Sequence, residues 1–329
     1  MNIGFALLAR RSYGPGCCKT VLPRRRRGAV PRPAGPRFSA LPIFLALPLA
    51  LSYVVAPAAE ASSPGAASPA RGTEQESAQQ LVRDVVWNEV QAQTHDTSHW
   101  HFHETQWKGA VRKVYDVIQT KYGDVHRLLA IDGHALDGKA LQAESKRVEK
   151  LCSDPEQIEQ AQKARDADAK QEREMLRMLP KAFIFRETGR TGDVVKLAFT
   201  PNPSFHPSTH EAQVFHHMDG TMLVDGRQKR LLEIHGTLTT PVEFWGGLLG
   251  HLDAGGTFNV VQRDVGDGHW DMVYLRVNMD GKALFFKTIS VHDHEAYSNY
   301  HRVPDDTTPS EAAKQLKQDA ESPQDFAGE

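Results

Sequence analysis

Residues His99-Trp100-His101-Phe102-His103-Glu104 alternate imidazole with aromatic carbon. In an extended strand, successive side chains point to opposite faces. His99, His101 and His103 then form one row, and Trp100 and Phe102 the other. Three imidazoles in a row are ligand types for Zn²⁺, Cu²⁺ or Ni²⁺. No carboxylate follows at ligand spacing, and Glu104 falls on the opposite face. The row is therefore read as the solvent face of an amphipathic strand, with a metal site or metalloenzyme as the alternative. No cofactor is expected. His292-Asp293-His294 offers a shorter pair near the end of a later strand. The remaining histidines are scattered, and nothing in their spacing selects a Ser-His-Asp triad.

Apolar rows are the second candidate. Trp100 and Phe102, Phe183 and Phe185, Val195, Leu197 and Phe199, and Leu232 and Ile234 each line one face of an alternating segment. Such rows serve equally as a packed core or as the wall of a cavity for an apolar ligand. The run Phe244–Leu252 (FWGGLLGHL) is apolar and glycine-rich. It suits a buried turn, with a gate or membrane-touching loop as the alternative. No P-loop, G-x-G-x-x-G, G-x-S-x-G, H-E-x-x-H or C-x-x-C occurs, so the commonest readable catalytic signatures are missing. A non-enzymatic role is expected.

The elements that must position these residues follow from periodicity. Leu81, Val82, Val85, Val86 and Val90 make an apolar stripe that predicts a helix over 76–93. Strands are predicted over 98–107, 110–121 and 125–131, the last ending at Asp132-Gly133, as an antiparallel meander. Two charged helical segments follow, 136–152 and 154–179. Asp154, Pro155 and Gln157 supply the second one's cap, and Pro180 is expected to stop it. Seven further strands are predicted: 182–188, 193–200, 221–225, 230–239, 256–265, 269–279 and 283–297. About ten strands in succession, with few helical crossovers, imply an α+β fold. Its antiparallel sheet is large enough that it must curl or be covered by helices. Residues 304–329 read as a polar, frayed C-terminal tail.

The chain has 329 residues with 39 Lys and Arg against 41 Asp and Glu. That balance conceals an asymmetry. Residues 1–61 hold nine basic residues and only Glu60 as an acid, so the remainder is strongly acidic. An acidic body does not suit the phosphate backbone, and no nucleic-acid partner is expected. Arg24 to Arg27, Arg32 and Arg37 precede the apolar run Ala40–Ala56. This is the layout of a secretory signal with a long basic n-region, and Ala59-Glu60-Ala61 fits cleavage before Ser62. The run's 17 residues, two of them proline, fall short of the about 20 that a spanning helix needs. A periplasmic or secreted location is expected, with residues 62–75 as a flexible linker. Cys152 would then be the one thiol of the mature chain, so the fold stands without an internal disulfide.

Several segments also carry a resemblance. They are His99-Trp100, Ile131-Asp132-Gly133, Met178-Leu179-Pro180-Lys181-Ala182-Phe183, Phe199-Thr200-Pro201-Asn202-Pro203, Gly220-Thr221-Met222-Leu223-Val224-Asp225, Trp245-Gly246-Gly247-Leu248-Leu249-Gly250 and Lys282–Val291. With the order of elements, they resemble an uncharacterised secreted bacterial family, itself similar to the outer-membrane lipoprotein-sorting (lipoprotein-carrier-like) superfamily. The resemblance spans about residues 80–300. It implies an open half-barrel whose concave face is covered by helices and holds acyl chains. The domain is then 76–303, with a helical insertion at 136–180. The implied role is binding of an apolar ligand, an acyl chain or a lipoprotein. Its rival is an envelope protein-interaction or stress-sensing module on the same fold. Oligomeric state is left open.

Overall fold

The computed structural model describes residues 69–209, 211–244, 250–283 and 287–320. The expected signal segment, its cleavage point and most of the expected linker lie outside these residues, as do Trp245–Leu249 and Leu284–Phe286. All the described residues belong to one of the two units into which the chain divides, the other being Thr20–Ser68.

Helix α1 (Pro69–His95) buries Ala78, Leu81, Val82, Val85, Val86 and Val90, the stripe that its spacing dictates. It begins earlier than expected, inside the stretch read as linker. The chain then forms a meander: β1 (His99–Lys108), β2 (Val111–Thr120), β3 (Gly123–Ile131) and the two-residue β4 (His134–Ala135). Helices α2 (Gly138–Ser153) and α3 (Pro155–Ala182) follow. The Asp154 carboxylate accepts from the backbone N–H groups of Glu156 and Gln157, with Pro155 opening the helix. Pro180 does not stop α3, which runs on to Ala182. The Gln79 amide accounts for the carbonyls at this junction, donating to Pro180 O and Phe183 O.

The second half is nearly all sheet. It comprises β5 (Phe183–Thr191), β6 (Val194–Pro201), a 3-10 helix (Glu211–His217), β7 (Met218–Asp225), β8 (Arg230–Leu238), the short β9 (Val242–Phe244) and β10 (Gly250–Leu252), β11 (Thr257–Gly266), β12 (His269–Ala283) and β13 (Lys287–Val303). A thirteen-stranded antiparallel sheet results. Its main path runs β4-β3-β2-β1-β13-β12-β11-β8-β7-β6-β5, and β10 and β9 branch from β12. The path begins and ends at different strands, so the sheet is open, as expected of an α+β half-barrel. Flat, eleven strands would span about 48 Å. Helix α3, of 28 residues, is about 42 Å long. It carries the chain from the β4 edge to the β5 edge.

The expected frayed tail is instead helix α4 (Pro309–Asp319). Thr308 caps it, its hydroxyl accepting from Glu311 N while the Glu311 carboxylate accepts from Thr308 N. Ala312, Ala313 and Leu316 are buried against Ile118, Val125, Val148, Cys152 and Val303. These few alanines among polar residues give little apolar signal, which is why the segment reads as a tail. The β1–β3 end is therefore covered on both faces. Val117 joins the main core with α1 and α3, while its neighbour Ile118 joins the second core with α2 and α4.

Candidate functional site

Of the nine expected apolar ligand residues, eight are buried in the main core. Trp100, Phe102, Phe183, Phe185, Val195, Leu197, Phe199 and Ile234 are each 6 % exposed or less. The exception is Leu232, which is half-buried. A β-bulge between Leu223↔Glu233 and Val224↔Leu231 breaks the alternation and turns Leu231 to the core in its place. The rings pack on one another: Phe183 and Phe199 have centroids 4.8 Å apart, and Phe183 and Phe215 5.3 Å. Phe199 also lies over Gly220, where an added Cβ would stand 2.6 Å from its Cζ. The chain's own rings fill the space at this end of the sheet.

Space opens beside that cluster, where α1, the α3–β5 junction and the 202–206 turn meet. The cleft has a volume of about 830 Å³, within the range that small-molecule sites occupy. Pro180, Phe183, Ile184 and Phe205 make it apolar, and Arg83, Lys181 and His206 add basic or imidazole groups. Among the described residues, no carboxylate lines it. The walls are built by short-range hydrogen bonds. Asn202 donates its side-chain amide to Lys181 O, and its Oδ1 accepts from Ser204 N. Phe205 N donates to Asn202 O, which sets the Phe205 ring against Phe215 at 6.3 Å. On the opposite wall the Gln79 carbonyl accepts from Phe185 N. Chemically, the cleft suits a molecule with an apolar part and an anionic part. Only Phe183 of the expected ligand residues lines it. The others to look for were Arg83, Lys181, Phe205 and His206, whose one sequence signal is the Asn202-Pro203-Ser204 turn beside aromatic residues.

The inward face of β1–β3 holds ionisable groups instead. Glu104 is fully buried, and its carboxylate accepts from Gln106 Nε2 at 2.6 Å and pairs with His126 Nδ1 at 3.1 Å. Burial works to lower the His126 pKa. The hydrogen bond and charge of Glu104, with the charge of Asp124, outweigh it and hold the group above its ordinary value. A small polar cavity of about 80 Å³ lies further along. There His269 sits between Asp96 at 2.6 Å and Asp271 at 3.5 Å, stacked on Trp100.

The imidazole row His99, His101 and His103 does alternate with Trp100 and Phe102 as expected, but it is not a solvent face. The side chains of His101 and His103 are 15 % and 18 % exposed. Carboxylates distant in sequence meet them: Asp116 from β2 and Asp319 from α4. His292 stands apart, paired with Asp280 at 3.0 Å, and His294 stacks on Trp107.

No family model matches this chain, and no curated protein matches it. Among solved structures, a DUF1329 family protein from Desulfovibrio piger is similar at 8 % identity and a TM-score of 0.25. The match covers 70 % of this chain and 93 % of the other. Among the described residues, no helix is long and apolar enough to cross a membrane.

Proposed function

We propose that this protein is a non-enzymatic binding protein for an amphiphile with an apolar chain and an anionic head, acting in the periplasm or as a secreted protein. The observation that carries the reading is the cleft between α1 and β5, where an apolar lining and the basic side chains of Arg83 and Lys181 converge. An acyl chain would lie against Phe183, Ile184 and Phe205. Its carboxylate or phosphate would meet Arg83 and Lys181, a charge-assisted contact of the stronger kind. The Arg-rich segment ahead of Ala40–Ala56 supports export. The aromatic cluster behind the cleft is the rigid wall, and the cleft is the part that admits a guest.

A fluorescent fatty-acid probe tests this directly. Wild-type protein is expected to bind the anionic probe and to bind its methyl ester at least about tenfold more weakly, the cost of roughly 1.4 kcal/mol of charge-assisted contact. Reversing both charges, Arg83→Glu with Lys181→Glu, should remove that preference without lowering the melting temperature, since both side chains are exposed. Equal binding of acid and ester by wild type and by the double variant would defeat the proposal.

A further inference from the structure

We infer that the sheet face beneath the end of α4 is a binding site for one divalent transition-metal ion, held by His101, Asp116 and Asp319 with His103 beside them. One ligand atom from each of the first three lies within 4.8 Å of the other two. His103 Nε2 is 3.9 Å from the same Asp116 oxygen that His101 Nε2 approaches at 2.5 Å. Imidazole nitrogen with carboxylate oxygen is a donor set that Zn²⁺ accepts. Ligands at Zn²⁺ bond lengths stand about 3.3–3.5 Å apart in a tetrahedron, so small side-chain rotations convert this cluster into a coordination shell.

Three features point to a built site rather than a chance meeting. The first is Asp116, whose side chain is 1 % exposed. Its Oδ2 is buried without a hydrogen-bond partner among the described residues, a position that costs free energy unless a cation or donor meets it. The second is the backbone opposite the row. A bulge in β13 skips between the pairs His101↔His301 and His103↔Ser298. It places Asn299 in the left-handed region at φ +57°, with its side-chain amide 3.1 Å from His103 Nδ1. That contact, with the Asn299 Nδ2 facing Nδ1, fixes the ring so that Nε2 points toward Asp116. The third is α4. Its buried positions Ala312 and Leu316 fix the face it presents, and Asp319, one turn beyond Leu316, falls over His101.

The charges facing the cluster are His101 and His103 from β1, His301 from β13, Asp116 from β2, Arg127 from β3 and Asp319 from α4. Arg127 is the cross-strand partner of Asp116 and donates Nη2 to Ser145 Oγ at 2.8 Å. His101 Nε2 and Asp116 Oδ1 are hydrogen-bonded at 2.5 Å. Burial works to lower the His101 pKa, but the hydrogen bond and charge of Asp116, with Asp319, hold it above the ordinary value. Burial raises the Asp319 pKa, and Asp116 adds to that while His101 opposes it. Imidazole and carboxylate bind Zn²⁺ in their deprotonated forms, with protons released to solvent, so affinity should rise with pH. The site is on the opposite face from the Glu104–His126 pair and independent of the amphiphile cleft.

The chain has 16 histidines, so the experiment must separate this cluster from adventitious uptake. Full-length protein stripped with chelator is titrated with Zn²⁺ in a calorimeter, and with Co²⁺ for its visible absorption. One tight Zn²⁺ step is expected, with proton release and a Co²⁺ spectrum of low coordination number. His101→Ala and Asp319→Asn should each weaken that step by about 10–100-fold or more. Asp319 is half-buried at a helix end, so its variant keeps the fold, as a melting curve would verify. His292→Ala, at the exposed pair with Asp280, should leave the step unchanged. Absence of any tight step in wild type overturns the inference. So does a step that survives both cluster variants, or one that His292→Ala abolishes.

Discussion

At the β5–β8 end, Phe183, Phe185, Phe199 and Phe215 touch one another. Among the described residues, β5 to β8 contribute no buried polar side chain. At the β1–β3 end, Glu104, Asp116 and Arg127 are as deeply buried as those rings, and His126 is buried beside them. Both ends are antiparallel ladders with alternating side chains. The difference lies in what covers them. The β5–β8 strands meet α1 and α3 on one face and water on the other, so Arg186 and Lys196 stay exposed. On β1–β3 the other face is closed as well, by α2 and α4. Asp116 and Arg127, which alternation would have sent to water, are trapped there, whereas Glu104 and His126 lie on the inward face beside Phe102 and Val117. A second layer of helices thus encloses Asp116 and Arg127 on what would otherwise be a solvent row.

The comparison breaks most visibly under core deletion. Phe199→Ala should cost about 3–5 kcal/mol of stability, because neighbouring rings fill its surroundings and a cavity would remain. Denaturant unfolding would measure it, and the cost should not depend on pH. A loss below about 1 kcal/mol would mean that the aromatic end is loosely filled and that the two ends are less different than drawn.

Glu104→Gln probes the polar end and should cost less, about 1–3 kcal/mol at pH 6. Its signature is pH dependence. Glu104 raises the folded-state pKa of His126. A raised histidine stabilises the fold fully below its unfolded value, about 6.5. That contribution is lost as pH rises through the folded value. The gap between wild type and variant should therefore narrow from pH 6 to pH 9. A constant gap would place the cost in packing instead.

The smallest expected effect concerns the helix that makes the second layer. Thr308→Ala removes half of the capping box and should cost about 1 kcal/mol. Hydrogen exchange would show it as faster amide exchange along α4, while β5–β8 amides keep their rates.

Much of this fold was legible in local pattern. The α1 stripe, the Asp154-Pro155 cap and the alternation of β1 each act over a few residues, where sequence and geometry are tied closely. What escaped was long-range or irregular. The bulge that exchanges Leu231 for Leu232 leaves no composition mark. Pro180 stays inside α3, and the Gln79 contacts at that junction come from another helix. The imidazole row was legible, and its partners were not. Asp116 is on the next strand, opposite His103, where only the register decides which residues meet, and Asp319 is on a helix whose few small apolar residues read as a tail. The cleft likewise joins Arg83 to Lys181 across about a hundred residues of chain, as Gln79 and Pro180 are joined. No spacing rule reaches that far.

The pairing of β1 with β13 has a consequence for how the chain is made. His99 aligns with Val303, so the first and last strands of the sheet are neighbours about two hundred residues apart. At a synthesis rate of roughly 5–20 residues per second, β1 emerges some 10–40 s before its partner exists. Throughout that interval its outer edge offers unpaired backbone groups to any passing strand, a setting in which a holding chaperone is of most use. A ribosome stalled before Lys287 would leave β1 and β12 both open-edged. The sheet becomes continuous only when the last strand is delivered.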